Sequence, residues 1–378
     1  MKKLNFILFV GIIFTSCEKT VIEEVEKEYS WKTHPNFINE KSVQMNSFST
    51  DNSLYFFGLY TFSAYGTNSI DAEFLDPISG VTMNNYFHID HDQPTQYKFP
   101  ISNNFFIEYK RANGYDIKDD QLCFISAKNP YYSYTYIKFS IKDIDPSFLQ
   151  YYFSIFTHDE CIAINNKNQA LIPYSASGIS NSKLKFALVN IKVDSTSYSN
   201  MVYLDTVKTK LISLNDDNQY DPLYIQHLGE DFFLTTNTKT YRINSAGEIA
   251  QMYDYHFYDI IEKHDTTYSV GYNFNLKQYE WSYSIDKGKS WTMVSKILNQ
   301  FECLDYTVIN NRIIGFCNSQ IWEIKPTSYG IESIELENDG LEGKLITAIS
   351  SFKGNVYVSS LSGVFYKTLD DFFKIKKI

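Results

Sequence analysis

The 378-residue chain reads as an all-β protein folded as a β-propeller of four-stranded blades, seven in number within a range of six to eight. Three observations carry that expectation. Aromatic residues are abundant, with 31 Tyr, 29 Phe and 4 Trp, and Tyr and Phe favour half-buried strands. No segment beyond residue 30 sustains a 3.6-residue apolar period. The C-terminal half instead repeats a hairpin at a spacing near 40 residues, the period of a multi-stranded blade. The composition, 44% hydrophobic and 21% charged, excludes wholesale disorder. Acidic residues outnumber basic ones by 44 to 34, which argues against a nucleic-acid partner.

Residues 1–17 form an address. Lys2 and Lys3 give a positive start, and Leu4 to Phe14 an apolar run broken by Asn5 and Gly11. That run is far short of the roughly 20 apolar residues that span a bilayer, so it reads as a secretory signal. Its end, Phe14-Thr15-Ser16-Cys17, resembles the lipobox of bacterial lipoproteins, with Phe14 where an aliphatic residue is usual. The resemblance implies cleavage before Cys17, lipidation of that cysteine and a lipid-anchored place in the cell envelope, expected at the outer membrane; the acidic segment that follows resembles the surface-export signals of some Gram-negative lipoproteins. A plain signal peptide is the alternative. Removing residues 1–17 takes away two lysines and no acid, moving the formal charge from −10 to −12. Residues 18–30 carry Glu18, Glu23, Glu24, Glu26 and Glu28 and read as an acidic tether. Val21, Val25 and Tyr29 would permit one short amphipathic helix there.

The propeller domain is expected over residues 31–378, with its repeats clearest in 231–378. Four units each run from a short apolar strand through a polar turn into a strand that opens with an aromatic. Those aromatics are Tyr241, Trp281, Trp322 and Phe365, spaced 40, 41 and 43 residues apart. Upstream, candidate strands begin at Leu54, Phe105, Leu122, Cys161 and Met201. About 340 residues at a period of about 42 give roughly eight blades, and long loops such as 66–104 lower that to seven. Cys123 and Cys161, 38 residues apart, are expected on equivalent strands of adjacent blades. Residues 372–378 are expected to form the outer strand of the last blade.

Ser284-Ile285-Asp286-Lys287-Gly288-Lys289-Ser290-Trp291 begins three residues after Trp281 of the second unit and resembles the Asp-box, also called the bacterial neuraminidase (BNR) repeat. Serine and aspartate side chains can bond the amides of a tight turn, glycine admits positive φ, and tryptophan packs into the blade. Thr368 and Asp370 occupy the same register after Phe365, with Phe372 where glycine is expected. The resemblance extends to propellers of sialidases, glucan hydrolases, sortilin-type receptors and photosystem assembly factors, among which a structural motif does not choose.

No catalytic constellation stands out. A sialidase needs three arginines around its substrate carboxylate, and this chain holds only Arg111, Arg242 and Arg312. Tyr241-Arg242-Ile243-Asn244 looks like the sialidase arginine motif without its proline. His88, Asp90 and Asp92 could ligate a metal from one strand face, and Asn215 to Asn218 with Asp221 offer oxygen ligands. A solvated loop and an Asx-rich turn are the plainer readings, so no metal or cofactor is expected. His256 and His264 have no nucleophilic partner. The candidate binding aromatics are Tyr132, Tyr134, Tyr136 and Tyr255, which alternation would align on strand faces for stacking on sugars or anchoring a protein; inter-blade packing is the alternative. With Cys17 lipidated, Cys303 with Cys317 and Cys123 with Cys161 permit two disulfides, or four buried thiols. The function expected is a monomeric, lipid-anchored, non-catalytic binding or scaffold protein for a glycan or an envelope protein. The alternatives are a glycan-active hydrolase using paired carboxylates, or an assembly factor for a membrane complex.

Overall fold

The computed structural model describes residues 29–34, 43–49, 54–62, 67–75, 82–83, 96–102, 105–110, 121–126, 137–151, 162–176, 183–194, 201–215, 224–236, 239–297, 304–327 and 330–376. These form seven antiparallel sheets, six of four strands and one of five. In six of them strand order follows the chain, as expected of blades built from successive hairpins, and in the seventh the outermost strand comes from near residue 32. Blade 1 opens with Val43–Ser49 and blade 2 with Gln96–Ser102. Blade 3 has a broken first strand, because Phe148–Tyr151 and Ala163–Ile164 both pair with Gln169–Ala176. Blade 4 consists of Tyr224–Leu228, Asp231–Thr235, Thr240–Ile243 and Ile249–Tyr253. Blade 5 follows at once with Tyr255–Lys263, Thr266–Asn273, Gln278–Ser284 and Thr292–Lys296. Blade 6 comprises Asp305–Ile309, Arg312–Cys317, Gln320–Thr327 and Gly330–Glu335. Blade 7 uses Ile346–Phe352, Asn355–Ser360 and Gly363–Thr368.

First strands of neighbouring blades touch from blade 2 round through blade 7 to blade 1, which makes them the inner ring. Inter-blade faces carry the core. Phe232, Leu234, Tyr241 and Ile243 of blade 4 pack with Leu171, Phe186 and Leu188 of blade 3. On the other face, Leu228 and Phe233 pack with Phe257 of blade 5. Tyr241, Trp281, Trp322 and Phe365 all lie in the third strand of their blades, opposite Leu234, Val270, Gly315 and Val358.

The ring closes differently from expectation. The fourth strand of blade 7 is Lys32–Thr33, with Lys32 opposite Tyr366 and Thr33 opposite Phe365. Residues 372–376 do not supply it, because Thr368 caps a single helical turn, Leu369–Phe372, that ends the sheet. Ile375 then bridges Leu336 of blade 6. Trp31 anchors the closure: it is buried, meets Phe372 edge-on at 6.0 Å and donates its indole N–H to the Glu337 carbonyl at 3.2 Å. Lys367 pairs with Glu337 at 3.1 Å and lies over the Trp31 ring. Ser30, read above as the end of the tether, is already tied to the Asp339 carbonyl at 3.1 Å.

Candidate functional site

Blade 5 starts one residue after blade 4 ends, and this tight crossing decides where its aromatics go. Tyr253 still belongs to blade 4 and donates its hydroxyl to the Gly288 carbonyl at 2.6 Å. Tyr255 is not on an open stacking face, contrary to the alternation read above. Its hydroxyl donates to the Glu280 carbonyl at 2.9 Å and its ring lies 4.8 Å from that of Phe257. It lies across Gly271, where a Cβ would fall 2.3 Å from the tyrosine ring and 1.9 Å from the His256 carbonyl oxygen. Only glycine admits that approach.

A bulge between Phe257 and Asp259 then re-aims Tyr258. Tyr258 meets Tyr224 of blade 4 at 5.6 Å and Tyr279 at 5.8 Å. Tyr279 meets Tyr272 at 5.1 Å, Tyr272 meets Phe274 at 5.3 Å, Phe274 meets His256 at 4.4 Å, and His256 returns to Tyr258 at 5.9 Å. The five rings of blade 5 therefore form a closed circuit, with Tyr224 attached across the blade boundary. His256 is buried, while Tyr224, Tyr258, Tyr272, Phe274 and Tyr279 stay half-exposed. Gln226 holds the bulge by donating to the Tyr258 carbonyl at 2.8 Å. Burial raises the Tyr258 hydroxyl above the usual phenol range, and the neighbouring phenols of Tyr279, Tyr224 and Tyr272 push it the same way. Four phenolic hydroxyls thus converge at the end of the ring that carries the turns between second and third strands.

Two carboxylates lie just beyond. Asp259 sits on the first strand of blade 5 and Asp305 opens the first strand of blade 6. Desolvation, followed by the Asp305 charge, pushes Asp259 up to about 8, although its carboxylate accepts the Tyr306 amide. Partial desolvation of its carboxyl also raises Asp305, although the residue as a whole is exposed.

The opposite end of blade 5 carries the Ser284–Trp291 turn. Ser284 Oγ accepts the Gly288 amide at 2.8 Å and donates to Asp286 Oδ1 at 2.8 Å. Asp286 in turn accepts the Ser290 amide at 2.9 Å and the Ser290 hydroxyl at 2.6 Å. Gly288 has φ +75°, and Trp291 packs on Phe257 at 4.9 Å. The register-equivalent turn of blade 7 is built otherwise. Thr368 bonds Asp371 rather than Asp370, which is exposed, and Phe372 is buried on Trp31 where blade 5 has its glycine.

Other sequence candidates are distributed as follows. Arg242 is bound to Asp231 through Nε at 2.8 Å and also through Nη2, so it holds a hairpin. Arg312 lies over the Phe373 ring and bonds Glu323 at 3.4 Å. His264 contacts Asn311 in neighbouring turns. Cys317 is disulfide-bonded. Cys123 falls in the third strand of blade 2. Cys17, Arg111, Tyr132, Tyr134, Tyr136, Cys161, Cys303, the His88 to Asp92 cluster and residues 216–221 lie outside the described residues, as do the side chains of Cys123 and Asn215. Among the described residues, no group of three or more His, Cys, Asp or Glu is placed to hold a metal ion. No described helix is long and apolar enough to cross a membrane.

Fold and site together define a seven-bladed β-propeller whose last blade is completed by Lys32–Thr33, with a tyrosine-rich mouth at the end of blades 4 and 5 that carries the turns between second and third strands. No family model matches the chain, and no curated protein matches it by sequence. Among solved structures it is similar to the extracellular domain of a one-component system from B. thetaiotaomicron, at 8% identity and TM-score 0.45, over 90% of this chain and 40% of that one. It is also similar to the β-propeller domain of the Trilobed protease from Pyrococcus furiosus, at 7% identity and TM-score 0.47, over 89% and 94% of the two chains. A third is the acylaminoacyl peptidase of Pyrococcus horikoshii, at 7% identity and TM-score 0.47, over 84% and 49%. The present chain thus spans less than half of the first and third. The fold assignment stands on the sheet topology and not on these likenesses.

Proposed function

We propose that the chain is a lipid-anchored, extracytoplasmic binding propeller that captures a glycan at the mouth formed by Tyr224, Tyr258, Tyr272 and Tyr279. One observation carries this reading: four phenols from two blades converge, half-exposed, at the same end of the ring. Flat rings stack on the apolar faces of sugars, and phenol hydroxyls both donate to and accept from sugar hydroxyls. The lipobox at Cys17 supports the anchor, and the acidic stretch before residue 29 supports a tether. The bonds around Ser284, Asp286 and Gly288 support an Asp-box assignment for that turn. Cys303 is the proposed partner of Cys317, since the two flank the Asn310–Asn311 turn.

The test is a glycan array probed with the purified chain, with bound sugars checked for cleavage. Selective, non-destructive binding is the expected result. A blank array, with crosslinking to an envelope protein instead, would move the mouth from glycan to protein recognition.

Asp259 and Asp305 favour a second reading, a glycan-active hydrolase. A carboxyl group held protonated beside another acid is the electrostatic arrangement that glycoside hydrolysis requires. Cleavage on the array that Asp259→Asn abolishes without loss of fold would select it.

A further inference from the structure

Strand register places a carboxyl group beside the tyrosine mouth. Asp259 stands opposite Val270, Val270 opposite Trp281, and Tyr272, two positions from Val270, opposite Tyr279. Residues directly opposite share a sheet face, as do residues two apart. Asp259, Tyr272 and Tyr279 therefore lie on one face of blade 5, the face whose Trp281 packs with Ile313 and Ile324 of blade 6. Blade 6 brings Asp305 to the head of its first strand, and the amide of the next residue, Tyr306, donates to Asp259. Two carboxyl groups from two blades thus stand at the blade 6 edge of the mouth, Asp305 exposed and Asp259 half-buried.

Other acids of the described residues come with partners built in. Asp231 has Arg242, Asp145 has Lys185 and Glu337 has Lys367. Glu280, buried, is bonded by the side-chain amides of Asn273 and Gln278. Asp259 receives the Tyr306 amide, but neither it nor Asp305 forms an ion pair among the described residues. Each acid raises the cost of ionising the other, and a cation set against both lowers that cost. The pair therefore favours a ligand that brings positive charge to this edge of the mouth.

We propose that the mouth selects glycans carrying free amines, stacking a sugar ring on Tyr272 and Tyr279 and setting an ammonium group against Asp305 and Asp259. The inference rests on the glycan reading of the mouth and names the sugar class within it. A free amine brings three donors and a full charge, whereas an acetylated amine is neutral and a uronic acid repels the pair. Lys277, exposed in the turn between the second and third strands of blade 5, has the opposite sign and would favour acidic sugars.

The test is calorimetric titration of the full chain with three tetramers, of glucosamine, of N-acetylglucosamine and of galacturonic acid. Low salt and about pH 6 keep the amines cationic and the attraction unscreened. The glucosamine tetramer is expected to bind tighter than the acetylated one by about five-fold, the upper worth of a solvent-accessible ion pair. The galacturonic acid tetramer should bind weakest. Asp305→Asn, checked by an unfolding curve matching the wild type, should shrink the preference for the free amine below about two-fold. Equal binding of the glucosamine and acetylated tetramers overturns the selection by charge while leaving the mouth a glycan site. A preference that survives in Asp305→Asn also overturns it, and so does a preference for galacturonic acid, which would give the role to Lys277. If none of the three binds, the selection is overturned and the glycan array decides whether the mouth takes another sugar.

Discussion

Trp31 and Phe372, near opposite ends of the chain, pack edge to face at 6.0 Å and close the ring. Blade 7 depends on this contact for its fourth strand, because Lys32–Thr33 is only two residues long and pairs with Gly363–Thr368 alone. Trp31→Ala removes a side chain that is 2% exposed together with its bond to Glu337. The expected loss is about 3–5 kcal/mol, the usual cost of deleting a buried tryptophan. Urea unfolding measures it, and a loss below about 1 kcal/mol would mean the ring is held elsewhere.

Gly288 and Gly354 both have positive φ, +75° and +79°. They differ in surroundings. A Cβ at Gly288 would come within 2.6 Å of Phe233 and 2.9 Å of Leu228, whereas Gly354 has open space. Gly354→Ala should therefore cost only backbone strain, about 1–2 kcal/mol. Gly288→Ala adds overpacking of about 1–3 kcal/mol, because Phe233 and Leu228 belong to the core contact of the preceding blade. Equal losses for the two variants would show that the turn does not lock blade 5 to blade 4.

Asp259 predicts an unusual pH dependence. Its folded value of about 8 lies above the ordinary carboxylate value, so the folded chain holds a proton that the unfolded chain releases. Stability from this group is complete below about pH 4 and declines as pH rises toward about 8. Asp259→Asn should flatten that decline, so the variant gains on the wild type as pH increases. Melting curves at pH 5 and pH 9 measure the difference. A gap that does not change with pH would place the carboxyl in water.

Peptide mapping without reduction should recover a Cys303–Cys317 linked pair. Cys303→Ser should then lower stability by about 2–4 kcal/mol. Recovery of Cys317 linked to Cys123 or Cys161 would refute the assignment.

The last four blades were readable because each third strand opens with a large aromatic that must fill the same inter-blade position. Tyr241, Trp281, Trp322 and Phe365 preserve that spacing wherever hairpin lengths are preserved. Blade 7 misled for a physical reason: Phe372 finds its burial against Trp31, which no local pattern reveals, so the chain turns helical where another strand was expected. The tyrosine mouth was hidden for another. Alternation from Tyr253 through Phe257 looked like one strand face, but the chain changes blades at Asp254 and the bulge at Tyr258 breaks the period of two. Tyr224 joins from 34 positions upstream, a contact that exists only once blades 4 and 5 are side by side. A signal was nevertheless present in Gly271, a lone glycine inside a strand opposite an aromatic run, the usual mark of a close approach or a bulge.

The most direct test compares wild-type chain with a Tyr258→Ala, Tyr279→Ala double variant on one glycan array, followed by titration of the best-bound sugar. Folding of both proteins is verified by matching unfolding curves. If the mouth is the binding site, the wild type binds selectively and the double variant loses at least about five-fold in affinity, consistent with about 0.5–1.5 kcal/mol for each of two aromatic contacts. Undiminished binding by the double variant would contradict the account, because the sugar would then rest on another surface of the propeller.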